Sequence, residues 1–114
     1  MIDTSKLLRE ILVAYDAQQL RPTRGTFFTP EGYACPIVAL ALHRGVVSRD
    51  NPDLSLERAT NPAFDWGCTV FGEDFTFGLL DGFDGKSAKS SEPPYLGGFG
   101  LGTALARLLL PVSD

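Results

Sequence analysis

The chain has 114 residues, a net charge of −4 and two cysteines, which is the size of one domain able to bury a core without covalent staples. An acidic chain with no basic stripe lacks the counterion-releasing surface that nucleic acid needs and the cationic surface that anionic lipid needs. DNA, RNA and membrane surfaces are therefore excluded as expected partners, and the abundance of aromatic residues excludes a disordered chain.

Leu7, Leu8, Ile11, Leu12 and Tyr15 recur on one helical face, with Asp3 or Thr4 placed to cap the first free N–H groups. The spacing predicts a first helix that Pro22 forces to end near Leu20. Thr26, Phe27 and Phe28 favour extended backbone, and Thr29-Pro30-Glu31-Gly32 is a turn sequence, so Thr26–Phe28 should pair with Tyr33–Cys35 as a short hairpin. Pro36 suits the first position of a helix and Gly45 its end. The intervening IVALALHR is apolar on nearly every side and predicts the central buried helix, with a buried strand as the competing reading.

Val46–Thr60 reads as a polar connection with a turn of helix at Leu54–Ala59. Asn61-Pro62 signals another helix start, and a helix over Pro62–Phe71 should bury Ala63, Trp66 and Val70. After Gly72, Glu73 and Asp74 fall in the first turn of a further helix, where carboxylates suit the dipole. Phe71, Phe75, Leu79 and Phe83 then form one stripe, with Gly78 and Gly82 beside it. A glycine inside a helix costs about 1 kcal/mol relative to alanine, so packing or function must offset these two; close contact with a neighbouring helix or loop is the expected reason. Lys86–Pro94 reads as a mobile polar loop. In the last helix Leu101, Ala104, Leu105, Leu108 and Leu109 make an apolar face, ended by Pro111. Tyr95–Val112 is the one membrane-like stretch, but Arg107 and four glycines favour a buried terminal helix. The expected fold is mainly α: a single compact domain over residues 1–114, with four to five short helices and a small β-hairpin near residues 26–35.

The N-terminal MIDTSKLLREILVAYDAQ has no apolar run with a cleavage site, so a reduced, cytoplasmic protein with two free thiols is expected. Cys35 precedes a helix N-terminus, a place that lowers a thiol pKa and makes a nucleophile; a small buried cysteine is the simpler reading. His43, the only histidine, lies about 12 Å along the same helix, too far for a thiol–imidazole pair, and suits the negative helix end. One histidine and two cysteines without ligand spacing give no zinc site, and no cofactor motif is present. Gly85-Lys86-Ser87 lacks the earlier glycine and the strand that a phosphate loop needs.

Asp81 and Asp84 stand three apart in GLLDGFDG and could act as acid and base or hold a divalent cation. Alternatively, Asp84 caps the loop and Asp81 faces solvent. Phe27, Phe28, Tyr33, Phe64, Trp66, Phe75 and Phe77 exceed what one small core needs, and two or three rings left exposed together would make a pocket or an interface.

The order of an N-terminal helix, Arg24-Gly25, Gly32, Cys35, Ala39-Leu40, and then Gly78, Leu79, Gly82, Phe83, Asp84 and Gly85 resembles small stand-alone uncharacterised bacterial proteins. The resemblance implies a compact, mostly helical domain, of a kind that a phage or mobile gene cassette would encode, and no activity. The expected function is a non-enzymatic binding or protein-interaction module, with a homodimer as an expected assembly, meeting a protein or small molecule through Trp66, Phe77 and the Asp81/Asp84 rim. The alternative is a small hydrolase- or transferase-type enzyme using Asp81 and Asp84, with His43 or Cys35 assisting.

Overall fold

A computed structural model describes residues 2–110. Helix α1 spans Thr4–Ala17 and is capped by Asp3, whose carboxylate accepts the Lys6 N–H at 3.1 Å. It buries Leu7, Ile11, Ala14 and Tyr15. It stops three residues before the expected end, because Gln19 adopts a left-handed conformation (φ 54°) and Leu20 N–H closes onto the Tyr15 carbonyl at 2.9 Å. That turn, not Pro22, terminates the helix.

Strand β1 (Arg21–Pro22) pairs in parallel with β2 (Tyr33–Ala34), an addition that no sequence pattern suggested. On the other edge of β2 lies the expected hairpin, an antiparallel bridge between Phe28 and Ala34. Its bonds run from Thr29 N–H to the Tyr33 carbonyl and from Cys35 N–H to the Phe27 carbonyl, both 2.9 Å. The buried Tyr15 hydroxyl donates to the Ala34 carbonyl at 2.7 Å and ties α1 to this small sheet.

Helix α2 (Pro36–His43) is the centre of the core. Pro36 through Leu42 are all buried, and Ile37 through Leu40 have no exposed surface. The connection to the next helix holds two short 3-10 turns, Pro52–Ser55 and Arg58–Thr60, in place of the single turn expected at Leu54–Ala59. Asn61, 1% exposed, organises them. Its amide donates to the Leu54 and Leu56 carbonyls at 2.8 and 3.0 Å, while its oxygen caps helix α3 at Ala63 N–H. A buried side chain with its donors and acceptor so engaged removes an alternative cost of about 1–3 kcal/mol.

Helix α3 (Pro62–Phe71) has the expected bounds but a different buried face: Ala63, Phe64 and Gly67. Trp66 is only half-buried and Val70 is 49% exposed. The reason is Gly67, which lies against Ile37 so closely that a Cβ would stand 2.6 Å from the Ile37 Cδ1. That contact turns the 63/67 side of the helix inward and residues 66 and 70 outward.

Gly72 (φ 92°) redirects the chain into α4 (Glu73–Phe83), which packs on α5 (Pro93–Leu109). A Cβ on Gly78 or Gly82 would overlap the carbonyl oxygens of Tyr95 and Phe99, and one on Gly98 or Gly102 those of Phe75 and Leu79. Positions advance together along both helices, so α4 and α5 run parallel, backbone against backbone, and the 84–92 connection returns along them. The glycine pair read from α4 thus meets a second pair on α5. That second stripe changes the expected apolar face of α5: Leu101, Leu105 and Ala106 are buried, whereas Leu108 is 62% exposed. Pro93 and Pro94, expected in the loop, form the first turn of α5. Pro111 lies outside the described residues. No helix among the described residues is long and apolar enough to cross a membrane.

Candidate functional site

Residues two apart on a helix point about 200° away from each other, and this separates the aromatic side chains of α3 and α4 into two groups. On one side Trp66 meets Phe71 edge to face at 5.6 Å, and Arg44 lies 5.6 Å from each ring. On the other side Phe64 meets Phe77 edge to face at 5.3 Å, with Phe27 continuing the row, and Arg58 lies 5.6 Å from Phe64 and 4.5 Å from Phe77. Trp66 and Phe77, expected to share one contact surface, therefore belong to different clusters.

The Arg44 cluster borders a cleft of about 380 Å³ between α1 and the end of α3, but its charge is paired. Glu10 from α1 accepts from Arg44 Nε and Nη2 at 2.7 and 2.8 Å. The guanidinium beside it holds the Glu10 carboxyl below its usual range. The Arg58 cluster is open. The ion pairs among the described residues are Arg44–Glu10 and Lys89–Asp81, so Arg58 has no carboxylate within 4.0 Å. Three adjoining clefts meet at Arg58. The narrow one, about 130 Å³, is lined by Gly25, Phe27, Cys35, Leu80, Asp84 and Lys86. A second, about 350 Å³, lies over Thr26 and the Ser55–Glu57 turn. The widest, about 530 Å³, has Phe64 and Phe77 as its floor and Glu57, Asp65, Cys68 and Glu73 around it. Burial and then Glu73 push the Cys68 thiol up, against the opposing pull of Thr76 and Arg58.

Asp81 and Asp84 face different partners. Asp84 closes α4 and accepts the Gly25 N–H at 3.2 Å, while Arg24 Nε donates to the Phe83 carbonyl at 2.6 Å. The Arg24-Gly25 and Phe83-Asp84-Gly85 segments are thus one mutual cap. Asp81, which could have faced solvent, is 2% exposed. Its Oδ2 accepts from the Tyr95 hydroxyl at 2.7 Å, and its Oδ1 has no hydrogen bond and lies 3.7 Å from Lys89 Nζ. Lys89 N–H in turn donates to the Tyr95 oxygen at 3.1 Å. Burial first, and then the bond to Asp81, raise the Tyr95 pKa.

Cys35 is the N-cap residue of α2 and is buried. Burial pushes its thiol up from 9.0 to about 12, and the Val38 and Ile37 N–H groups pull the other way without compensating. The helix N-terminus therefore does not make this thiol a nucleophile at neutral pH. His43 is at the opposite end of α2, half-buried, with Nδ1 unbonded. Among the described residues no three His, Cys, Asp or Glu side chains come together to hold a metal.

Arg58 carried no motif. Its one sequence signal is position, as the last cation before Ala59–Gly85, a stretch without Lys or Arg that holds five carboxylates. Lys89, within the 84–92 connection, and Tyr95, beyond it, engage Asp81 and had no signal at all. In comparisons with known proteins, no family model, no curated protein and no solved structure matches this chain.

Proposed function

We propose that this chain is a non-enzymatic binding module that takes a protein or small-molecule partner in the cleft around Arg58 and Phe77. The observation that carries the reading is the Phe27–Phe64–Phe77 row, whose outermost ring is half-buried on the floor of a cleft of about 530 Å³. A concave site with an aromatic floor and a few charged groups is the usual form of a binding pocket, and aromatic and arginine side chains dominate binding energy at interfaces. The hydrolase or transferase alternative has less support. Asp84 is occupied by the Gly25 backbone, Asp81 is buried beside Tyr95, and the two do not act on a common space. The unpaired Cys35 and Cys68 suit a reducing cytoplasm.

The test is a titration of the 15N-labelled chain with neutral aromatic fragments such as indole and benzyl alcohol, read by NMR. Shifts should concentrate at Arg58, Phe64, Glu73 and Phe77 and disappear in Phe77→Ala, while the amides of Trp66 and Phe71 stay in place. Shifts gathered around Asp81 and Tyr95 would instead favour the enzyme. Light scattering in the same buffer reads whether the partner is a second copy of the chain.

A further inference from the structure

The widest cleft holds an imbalance of charge. Glu57, Asp65 and Glu73 line it, against Arg58 alone. The chain as a whole carries −4, and the narrow cleft that adjoins at Arg58 adds one carboxylate, Asp84, and one cation, Lys86. A carboxylate or phosphate entering here would meet three like charges, whereas a cation would meet three opposite ones and an aromatic face.

The structure already has a cation in that position. The Arg58 guanidinium lies 4.5 Å from the centre of the Phe77 ring, and no carboxylate among the described residues completes an ion pair with it. Arg44, by contrast, is held over its rings by two hydrogen bonds to Glu10. A partly exposed cation–π contact alone corresponds to a two- to fivefold preference, about 0.5–1 kcal/mol. Arg58 extends from a three-residue 3-10 turn, Arg58–Thr60, and its side chain can leave the ring without unfolding an element. We infer that the cleft docks an arginine- or lysine-bearing segment of a partner protein, whose cation takes the place of Arg58 over Phe77 while Glu57, Asp65 and Glu73 surround it. This deepens the binding-module reading and rests on it: Arg58 is then an internal occupant that lowers the apparent affinity for the partner.

The experiment is an NMR and calorimetric titration of the full chain with a six-residue peptide alternating Gly and Arg. The controls are its citrulline and glutamate counterparts and spermine. Expected is binding of the arginine peptide at Arg58, Glu73 and Phe77, at least tenfold weaker with citrulline and absent with glutamate. Raising salt should weaken it several-fold. Arg58→Ala should strengthen binding about threefold, and Glu73→Gln and Asp65→Asn should each weaken it by a similar factor. Equal binding of the citrulline peptide, preference for the glutamate peptide, or loss of binding in Arg58→Ala would overturn the inference, the second by making Arg58 a receptor for an anion and the last by making Arg58 part of the receptor and not its displaced occupant. Tighter binding of spermine than of the arginine peptide would overturn it in favour of a small polycation. If neutral aromatic fragments bind the cleft and the arginine peptide does not, the binding module stands and its basic partner falls. If neither binds, both fall.

Discussion

Two arginines in this protein do the same thing with opposite outcomes. Arg44 and Arg58 each lie across a pair of edge-to-face rings, the pairs only 0.3 Å apart in centroid spacing (5.6 against 5.3 Å). Arg44 is completed by Glu10 of α1 and becomes a joint between the first helix and α3. Arg58 receives no carboxylate from any described residue, although it is the more covered of the two, and it stands at the meeting point of three clefts. The stack itself is therefore not what distinguishes a structural contact from an available one. The partner charge is, because a bidentate carboxylate fixes a guanidinium that aromatic faces alone only bias.

The Arg58 cluster joins α3 to α4 through Phe64 and Phe77, and Phe75 of α4 lies against Phe71 of the other, so the largest expected effect comes from moving α4 off α5. Gly82→Ala places a methyl group onto the Phe99 carbonyl. It should cost about 3 kcal/mol, the upper end of overpacking, and lower the midpoint of thermal unfolding by about 10 °C or more. Loss of less than about 1 kcal/mol would mean the helices separate without penalty.

Next in size is an alkaline effect on the Arg58 side, where Cys35 walls the narrow cleft. The folded thiol keeps its proton to about pH 12 while the unfolded one loses it near 9.0. The native state then binds the extra proton, so stability contributed below pH 9 is lost as pH rises through that window, about tenfold in the folding equilibrium per pH unit. Tyr15 and Tyr95, both raised above 10.0, add to the loss at higher pH. Urea unfolding at pH 7, 9, 10 and 11 should show the decline starting near 9 in the native chain and a shallower one in Cys35→Ala, where the raised Cys68 thiol alone acts before the tyrosines.

The comparison itself is sharpest in Arg44→Ala against Arg58→Ala. The first leaves Glu10 without its partner and should cost about 1–2 kcal/mol, the bond being discounted because both side chains are about one-third exposed. The second should cost less than about 1 kcal/mol. Equal losses would erase the distinction between joint and open cluster. The smallest effect belongs to Glu10→Gln. The lowered Glu10 pKa contributes stability above about 4.5 that is lost as pH falls through its folded value. The variant should show a flatter acid limb between pH 5 and 3, by less than about 1 kcal/mol.

How far the sequence could be read depends on whether a feature is local. Helix α3 starts and stops where Asn61-Pro62 and Gly72 place it, since a cap, a proline at the first position and a glycine at the end act on their own backbone. The hairpin of residues 26–35 and the buried α2 follow in the same way from turn chemistry and uniform apolarity. The buried face of α3 was less legible, because Trp66 and Val70 fit an apolar pattern and only the seat of Gly67 on Ile37 turned them outward. Asp81 illustrates the limit most clearly. A carboxylate between Leu80 and Gly82 near a helix end reads as solvated, and it is buried because α5 brings Tyr95 across the seam.

Gly78-Leu79-Leu80-Asp81-Gly82 by itself determined that something would lie close against α4, since two glycines in a helix interior need an offsetting contact. That its counterpart would be the parallel glycine pair of α5 was decided by the tertiary structure alone. So was the division of the aromatic residues into one arginine cluster completed by Glu10 and one left open at Arg58. Both outcomes turn on which side chains meet across more than ten residues of chain. Such meetings follow from packing and charge pairing between elements, and no local propensity encodes them.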